Sequence, residues 1–365
     1  MTQLADRKWK PFYIGDIFEK LESGKAKGHN HLMHDSKGVS YIGATNRNNG
    51  VLDFVKQTGA FQPGNAIGFI KNGNGVGSAG HAIYKAEPFM STSDVIYGYA
   101  KWLNRYVGLF FITCSDMNEA KFSHGYKWTP ERIKRSLVSL PVDTNGLPDY
   151  AFMEAFAKER ESVLLARYGA FVKKPAIPHR KNFRRPVWRP FRLLDWFDYR
   201  RGDQKDMNSL LPGKEMLVSA RNAENGLKGF YQGEKSHKRF AGDCLTLNND
   251  GDGGVGLSYY QPHEFLLDTH VYALYSKTPI SRFAQLFVSR AISSCRHCFS
   301  HGRSISQGRL KVLKIMLPAS PDNKPDFAYM DFCMRELMRK RLEKYLVYCT
   351  AKSRGRDRGV EGRHN

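Results

Sequence analysis

Short apolar runs alternate with turn residues over most of this chain. Val39-Ser-Tyr-Ile-Gly43, Ala66-Ile-Gly-Phe-Ile70, Ala82-Ile-Tyr84 and Asp94-Val-Ile-Tyr-Gly-Tyr99 are bounded by Asn, Gly or Pro. That spacing predicts strands joined by turns. From Leu103 to Cys114 the apolar positions recur at helical intervals instead, which predicts a helix. Two longer segments carry one apolar stripe each. Pro148 to about Lys173 places Met153, Phe156, Val163, Leu164 and Tyr168 among Glu, Arg and Lys. Pro325 to Lys352 places Met330, Met334, Met338, Leu342, Tyr345 and Cys349 in steps of three and four. Each segment predicts a helix of about 25 residues, or about 37 Å. Neither shows an apolar partner inside its own half. The pattern therefore predicts that the two helices pack on each other as an antiparallel pair, the alternative being that each lies on its own domain.

The same pattern occurs twice. Trp9-Lys-Pro-Phe returns as Trp188-Arg-Pro-Phe, and Ala44-Thr-Asn-Arg-Asn-Asn-Gly50 as Ala220-Arg-Asn-Ala-Glu-Asn-Gly226. Pro63-Gly-Asn65 answers to Ala241-Gly-Asp243, Val76-Gly77 to Val255-Gly256 and Ser123-His-Gly125 to Ser300-His-Gly302. Leu140-Pro141 returns as Leu317-Pro318, and Pro148-Asp-Tyr-Ala-Phe-Met153 as Pro325-Asp-Phe-Ala-Tyr-Met330. The offset stays between 176 and 179, far longer than a solenoid repeat. The expected fold class is α+β: two tandem, similar domains of small mixed sheets with helices, each opening with a short amphipathic stretch and followed by a long helix. The expected boundaries are 1–147 for the first domain, 148–173 for its helix, 174–187 for a basic linker, 188–324 for the second domain, 325–352 for its helix and 353–365 for a disordered basic tail. Lys173 to Arg192 holds eight Lys or Arg, four Pro and no acid, as an exposed connector would.

Charge then changes the picture. The 365 residues carry 57 Lys and Arg against 35 Asp and Glu, a formal charge of +22. Such an excess implies a polyanionic partner, because each neutralised phosphate releases counterions; the bland alternative is a charge kept for solubility. Six cysteines lack paired spacing, no signal peptide is seen, and no apolar run approaches the ~18 residues of a membrane span. A cytoplasmic protein with free thiols and no membrane partner is expected.

Several motifs invite chemistry that their surroundings do not support. Gly75-Val-Gly77-Ser-Ala-Gly80 and Gly251-Asp-Gly253-Gly-Val-Gly256 match GxGxxG, but a dinucleotide site needs a helix after the loop. His81-Ala-Ile-Tyr84 reads as another strand, so a tight loop between strands is expected. Cys295-Arg-His-Cys298 with His301 has metal-ligand types, yet a structural zinc takes four ligands, usually from two such pairs, and the first copy has only Ser123-His124 there. His29-Asn-His31 lacks the pattern of a nuclease finger. Pro148-Asp149 and Pro325-Asp326 are followed by helices without the E-x-K triplet of a nuclease, and no Asn/Asp-Pro-Pro-aromatic loop, P-loop or G-x-S-x-G occurs. No catalytic centre and no metal site are expected.

What remains suits readout of DNA. Asn46, Arg47, Asn48 and Asn49 share one loop, and Arg221, Asn222, Glu224 and Asn225 its twin. Arg pairs with guanine, Asn with adenine, and acids accept from cytosine. The glycine-rich loops add Asn72 and Asn74, and Asn249, Asp250 and Asp252. Lys121, His124, Tyr126 and Lys127, matched by His301, Arg303 and Ser304, mix cations with aromatics or hydroxyls just before a helix, where phosphates are held.

The ordered series of Trp-x-Pro-Phe, Asn…Asn-Gly turn, glycine-rich loop, Ser-His-Gly, Leu-Pro and Pro-Asp-aromatic helix entry resembles the target-recognition domains of type I restriction–modification specificity subunits. The resemblance covers about 9–172 and 188–350. It implies that each domain grips one half of a split duplex site while the helices space them and dock methyltransferase or endonuclease chains. S-adenosylmethionine and Mg2+ would then belong to those partners, and this chain would hold no cofactor. The helices look shorter than in type I subunits, which makes the chain similar also to the recognition subunit of type IIB systems. Loop differences such as Arg47 against Ala223 imply an asymmetric bipartite target. The competing readings are a stand-alone modification enzyme and a stand-alone nucleic-acid-binding defence or anti-restriction protein.

Overall fold

The computed structural model describes residues 2–59, 61–72, 79–116, 121–123, 125–174, 186–206, 209–234, 236–251, 254–300 and 302–360, with backbone alone from 351 to 360. It divides into two compact units, Met1–Arg167 and Tyr168–Asn365.

The first unit contains, in chain order, β1 (Trp9–Tyr13), α1 (Ile14–Ile17), β2 (Lys20–Ser23), β3 (His34–Ile42), β4 (Val51–Val55), β5 (Ala66–Ile70), β6 (Ala82–Lys85), β7 (Phe89–Ser91), β8 (Val95–Tyr99), α2 (Arg105–Ser115), α3 (Pro130–Arg135), β9 (Leu137–Pro141) and α4 (Tyr150–Lys173). The strands form a four-stranded sheet in the order β2-β8-β5-β6, a three-stranded sheet β4-β3-β7 and a ribbon β1-β9. Every predicted strand is present. Strand β5 is buried along its whole length, which explains why it reads as a continuous apolar run rather than an alternation. Its Ile67 and Phe69 pack with Val107, Phe110 and Phe111 of α2 and with Trp128, Ile133, Val138 and Met153.

The second unit repeats this plan: β10 (Val187–Arg192), α5 (Leu193–Trp196), β11 (Phe197–Arg201), β12 (Pro212–Val218), β13 (Leu227–Tyr231), β14 (Cys244–Asn248), β15 (Ser258–Gln261), β16 (Leu266–Leu267), β17 (Val271–Ser276), α6 (Arg282–Ser294), α7 (Gln307–Val312), β18 (Lys314–Ala319) and α8 (Phe327–Val360). Its sheets run β11-β17-β14-β15, β13-β12-β16 and β10-β18, strand for strand the same topology. Even the parallel pairs recur, β3 with β7 and β12 with β16.

The repeated blocks find each other in space. The stretch that opens each half is a strand followed by one helical turn, and it pairs with the Leu-Pro block 130 residues on: Trp9 faces Pro141 and Trp188 faces Pro318. Each ribbon thus ties the start of its domain to the strand that precedes its long helix.

The long helices depart from expectation in two ways. Both find partners at their starts, inside the unit where they begin. In α4, Phe152 and Met153 are buried, Tyr150 stacks on Trp102 at 4.5 Å and Glu161 pairs with Arg105 at 2.6 Å. In α8, Met330 is buried and the Arg335 guanidinium lies 4.2 Å over the Phe283 ring of α6. The last residues of α4 belong to the second unit, where Tyr168 meets Tyr345 edge-on and Phe171 packs on Phe283. The second departure is length. Helix α8 runs to Val360, through most of the segment expected to be a disordered tail. Extending an existing helix avoids the nucleation cost that would stop such a Gly- and Arg-rich segment from forming one alone.

Candidate nucleic-acid interface

The first candidate loop is built identically in both units. Gly43 donates to the Gly50 carbonyl and Thr45 to that of Gly43; Ser219 donates to Gly226 and Arg221 to Ser219. Three successive residues then adopt left-handed backbone: Asn48 (φ 50°), Asn49 (51°) and Gly50 (76°), and Glu224 (53°), Asn225 (55°) and Gly226 (78°). The middle asparagine of each set serves the scaffold. Asn49 Nδ2 donates to the Tyr84 carbonyl and Asn225 Nδ2 to that of Tyr260, both at 2.9 Å. Asn46, Arg47 and Asn48 are exposed, with Asn46 3.4 Å from His81 Nε2. Asn222 and Glu224 are exposed as well. Arg221 is held by Nη1 on the Leu227 carbonyl at 2.8 Å and by Nη2 3.1 Å from the Glu224 carboxylate.

The second candidate segment is a closed turn in each unit. Ser123 and Tyr126 exchange backbone hydrogen bonds, as do Ser300 and Arg303. The next residue but one is buried in the core, Trp128 in one case and Ile305 in the other. Thr129 and Ser306 then cap α3 and α7. Arg132 and Arg309 reach back to the carbonyls of Lys127 and Ser304, each at 2.7 Å. This grip leaves Tyr126 and Lys127, and Arg303 beside them in the repeat, facing solvent. Arg132 also lies 3.8 Å over the Tyr126 ring. Lys121 is exposed; His124 and His301 lie outside the described residues.

The glycine-rich loops join antiparallel strands, β5 to β6 and β14 to β15. As expected, a strand and not a helix follows each of them, with Gly80 (φ 92°) and Gly256 (φ 80°) near their ends; Gly75, Gly77 and Gly253 lie outside the described residues. Asn74 and Asp252 lie outside the described residues. Asn72 is half-buried and Asp250 is its counterpart. Asn249 differs: it is 5% exposed and its backbone bonds to His270 and Ile305, so it supports the loop rather than offering an edge to a ligand.

The residues matched by the sequence profile described as the type I restriction modification DNA specificity domain are 6–164 and 187–344, once in each unit. The chain belongs to that family. It is a restriction–modification specificity chain with two copies of the domain. It is 30% identical over 171 residues to the type II restriction enzyme specificity subunit S.BcgI of Heyndrickxia coagulans, an alignment covering 46% of this chain and 48% of that protein; the match thus spans about half of the relative's length. Among solved structures it is similar to the type I S subunit of M. genitalium, with 14% identity, a TM-score of 0.42 and coverage of 98% and 96% of the two chains. The HsdS subunit of Thermoanaerobacter tengcongensis matches with 12% identity and a TM-score of 0.32, over 93% and 90%.

Among the described residues of this specificity chain, no group of three or more His, Cys, Asp or Glu is placed to hold a metal, and no helix is long and apolar enough to cross a membrane. Cys295 closes α6 and Cys298 is exposed in the turn after it. Sequence reasoning missed one group. Lys228, Tyr231, Asp268 and His270 line an open cleft together with Arg221 and Asp250. The available signal was Asp268-Thr-His270, which stands where the first copy has Thr92-Ser-Asp94.

Proposed function

We propose that this chain is the DNA-reading subunit of a restriction–modification complex, binding a bipartite, asymmetric duplex target and docking methyltransferase or endonuclease chains. On this reading it contributes no catalytic group, and S-adenosylmethionine and Mg2+ work in the partner chains. The observation that carries the reading is one recognition frame built twice with different side chains on it. Thr45 and Arg221 occupy the same place in the first loop, as do Asn48 and Glu224, while Asn49 and Asn225 anchor both loops alike. Tyr126 and Lys127 stand where Arg303 and Ser304 do, over the same arginine grip. A frame held constant with its presented groups exchanged is what two different half-sites require, since base edges are told apart by donor and acceptor pattern. The charge of +22 suits the phosphates on either side.

Copurification from the native host with mapping of methylated bases tests this. The expected result is a split, asymmetric methylated motif that vanishes when the gene is deleted, together with partner chains on the column. Methyl transfer or cleavage by the purified chain alone would contradict it, as would RNA outcompeting duplex DNA.

A further inference from the structure

One cleft of the second unit joins Arg221, from a repeated block, to residues outside those blocks. It is an open cavity of roughly 600 Å³ whose walls come from four stretches: Arg221 of the first loop, Lys228 and Tyr231 of β13, Asp250 after β14, and Asp268 and His270 before β17. Donors and acceptors are both fixed in it. Asp268 is 3% exposed. Its Oδ1 accepts the His270 backbone N–H and lies 3.0 Å from His270 Nδ1. A carboxylate only accepts, so Nδ1 carries a proton, and in the neutral ring Nε2 is then the acceptor. The His270 ring is half-exposed and lines the cleft. Arg221 supplies the donors, its guanidinium already steered by the Leu227 carbonyl and the exposed Glu224 carboxylate.

The equivalent described positions of the first unit lack this set. Matching backbone hydrogen bonds equate Thr45 with Arg221, through Gly43 and Ser219, and Asp94 with His270, through Lys71 and Asn249. In register with these, Leu52 stands for Lys228 and Thr92 for Asp268. The cations and the His–carboxylate pair belong to the second unit.

We propose that this cleft reads a G·C base pair from the major groove, within the half-site of the second unit. In that groove guanine offers two acceptors, N7 and O6, beside the amino donor of cytosine. Arg221 takes the guanine edge, replacing its bond to Glu224. His270 Nε2, in the cleft that Asp250 also lines, accepts from the cytosine amino group. Asp268 is a positioning residue that fixes the His270 tautomer. The inference rests on the DNA-reading function above and adds where, and to which base pair, one half is specific.

The test is selection of the full-length chain, with whatever chains copurify, on a library of randomised duplexes, followed by sequencing. The wild-type chain comes first: failure to enrich any motif would sink DNA reading itself. Given a motif, Arg221→Ala and His270→Ala should each abolish a preference of about tenfold or more for G·C at one and the same position of one half. The other half should be unchanged. Asp268→Asn frees the tautomer, and should weaken the same preference with affinity for unrelated duplex unaltered. His270→Gln, which keeps an acceptor on a half-exposed side chain, should retain part of it. The inference is overturned if these variants weaken binding to all duplexes equally with the motif intact, or if the affected position is A·T.

Discussion

Asn48, Asn49 and Gly50, like Glu224, Asn225 and Gly226, hold three left-handed residues in a row, a conformation costing a non-glycine residue about 1–2 kcal/mol. The third position tolerates only glycine, for two reasons in the first unit and mainly one in the second. A Cβ on Gly50 would stand 2.7 Å from Ile83 Cδ1, whereas on Gly226 the nearest atom is 3.2 Å away. Gly50→Ala should therefore destabilise by about 2–3 kcal/mol and Gly226→Ala by less, read from thermal or urea unfolding. Equal losses would contradict the packing account. Burial pushes the Cys114 thiol up to about 11 and that of Cys244 to about 12, whereas Cys298 is exposed. Alkylation at pH 8 should modify Cys298 first and Cys244 last, since only thiolate reacts; early labelling of Cys244 would mean that its strand opens. On β4, hydrogen bonds from His29 and then His34 hold the Asp53 carboxyl down at about 2. A value below that of the unfolded chain, near 3.9, means the stabilisation is whole above about pH 4 and is lost as pH falls through about 2. Asp53→Asn should flatten the pH dependence of stability within that window and lower stability at neutral pH, where the stabilisation is whole; an unchanged slope would contradict the clasp.

At the scale of elements, the legible part was what side-chain pattern alone decides. The buried run Ala66–Ile70 and the stripe from Met153 to Phe156 announced a strand and a helix because each must bury one face. The β1–β9 ribbon was not legible as a ribbon: Trp9-Lys-Pro-Phe is mostly exposed, so its partner 130 residues away leaves no periodic mark, and only the recurrence of both blocks hinted at a link. The end of α8 was equally hidden, because chain composition after Lys352 argues against a helix that is already under way. Within the candidate site, the repeated loops stood out by sequence, but the roles inside them did not. Asn49 and Asn48 look alike on paper; the backbone turn commits Asn49 to Tyr84 and leaves Asn48 outward. His270 escaped because its partner Asp268 belongs to a block that the first copy does not share. One packing claim follows at this scale. Met153→Ala in α4 and Met330→Ala in α8 each empty a fully buried site and should cost about 2–5 kcal/mol, measured by denaturant unfolding. A loss below about 1 kcal/mol would show that the long helices are not seated on their domains.

For the whole molecule, duplication explains both the shared frame and the difference between its copies. Each unit keeps the same three sheets, the same left-handed turn and the same arginine grip, while the groups displayed on them diverge. A duplex partner makes the excess of cations useful, and binding should fall steeply with salt, with a logarithmic slope of about −0.9 for each phosphate contacted. The central claim, that each unit spells its own half of a DNA target, is tested most directly by exchanging residues 6–164 for the matching domain of another specificity chain and mapping the motif the assembled complex then recognises. One half of the motif should change and the other should stay as it was; a motif altered in both halves, or in neither, would contradict the account.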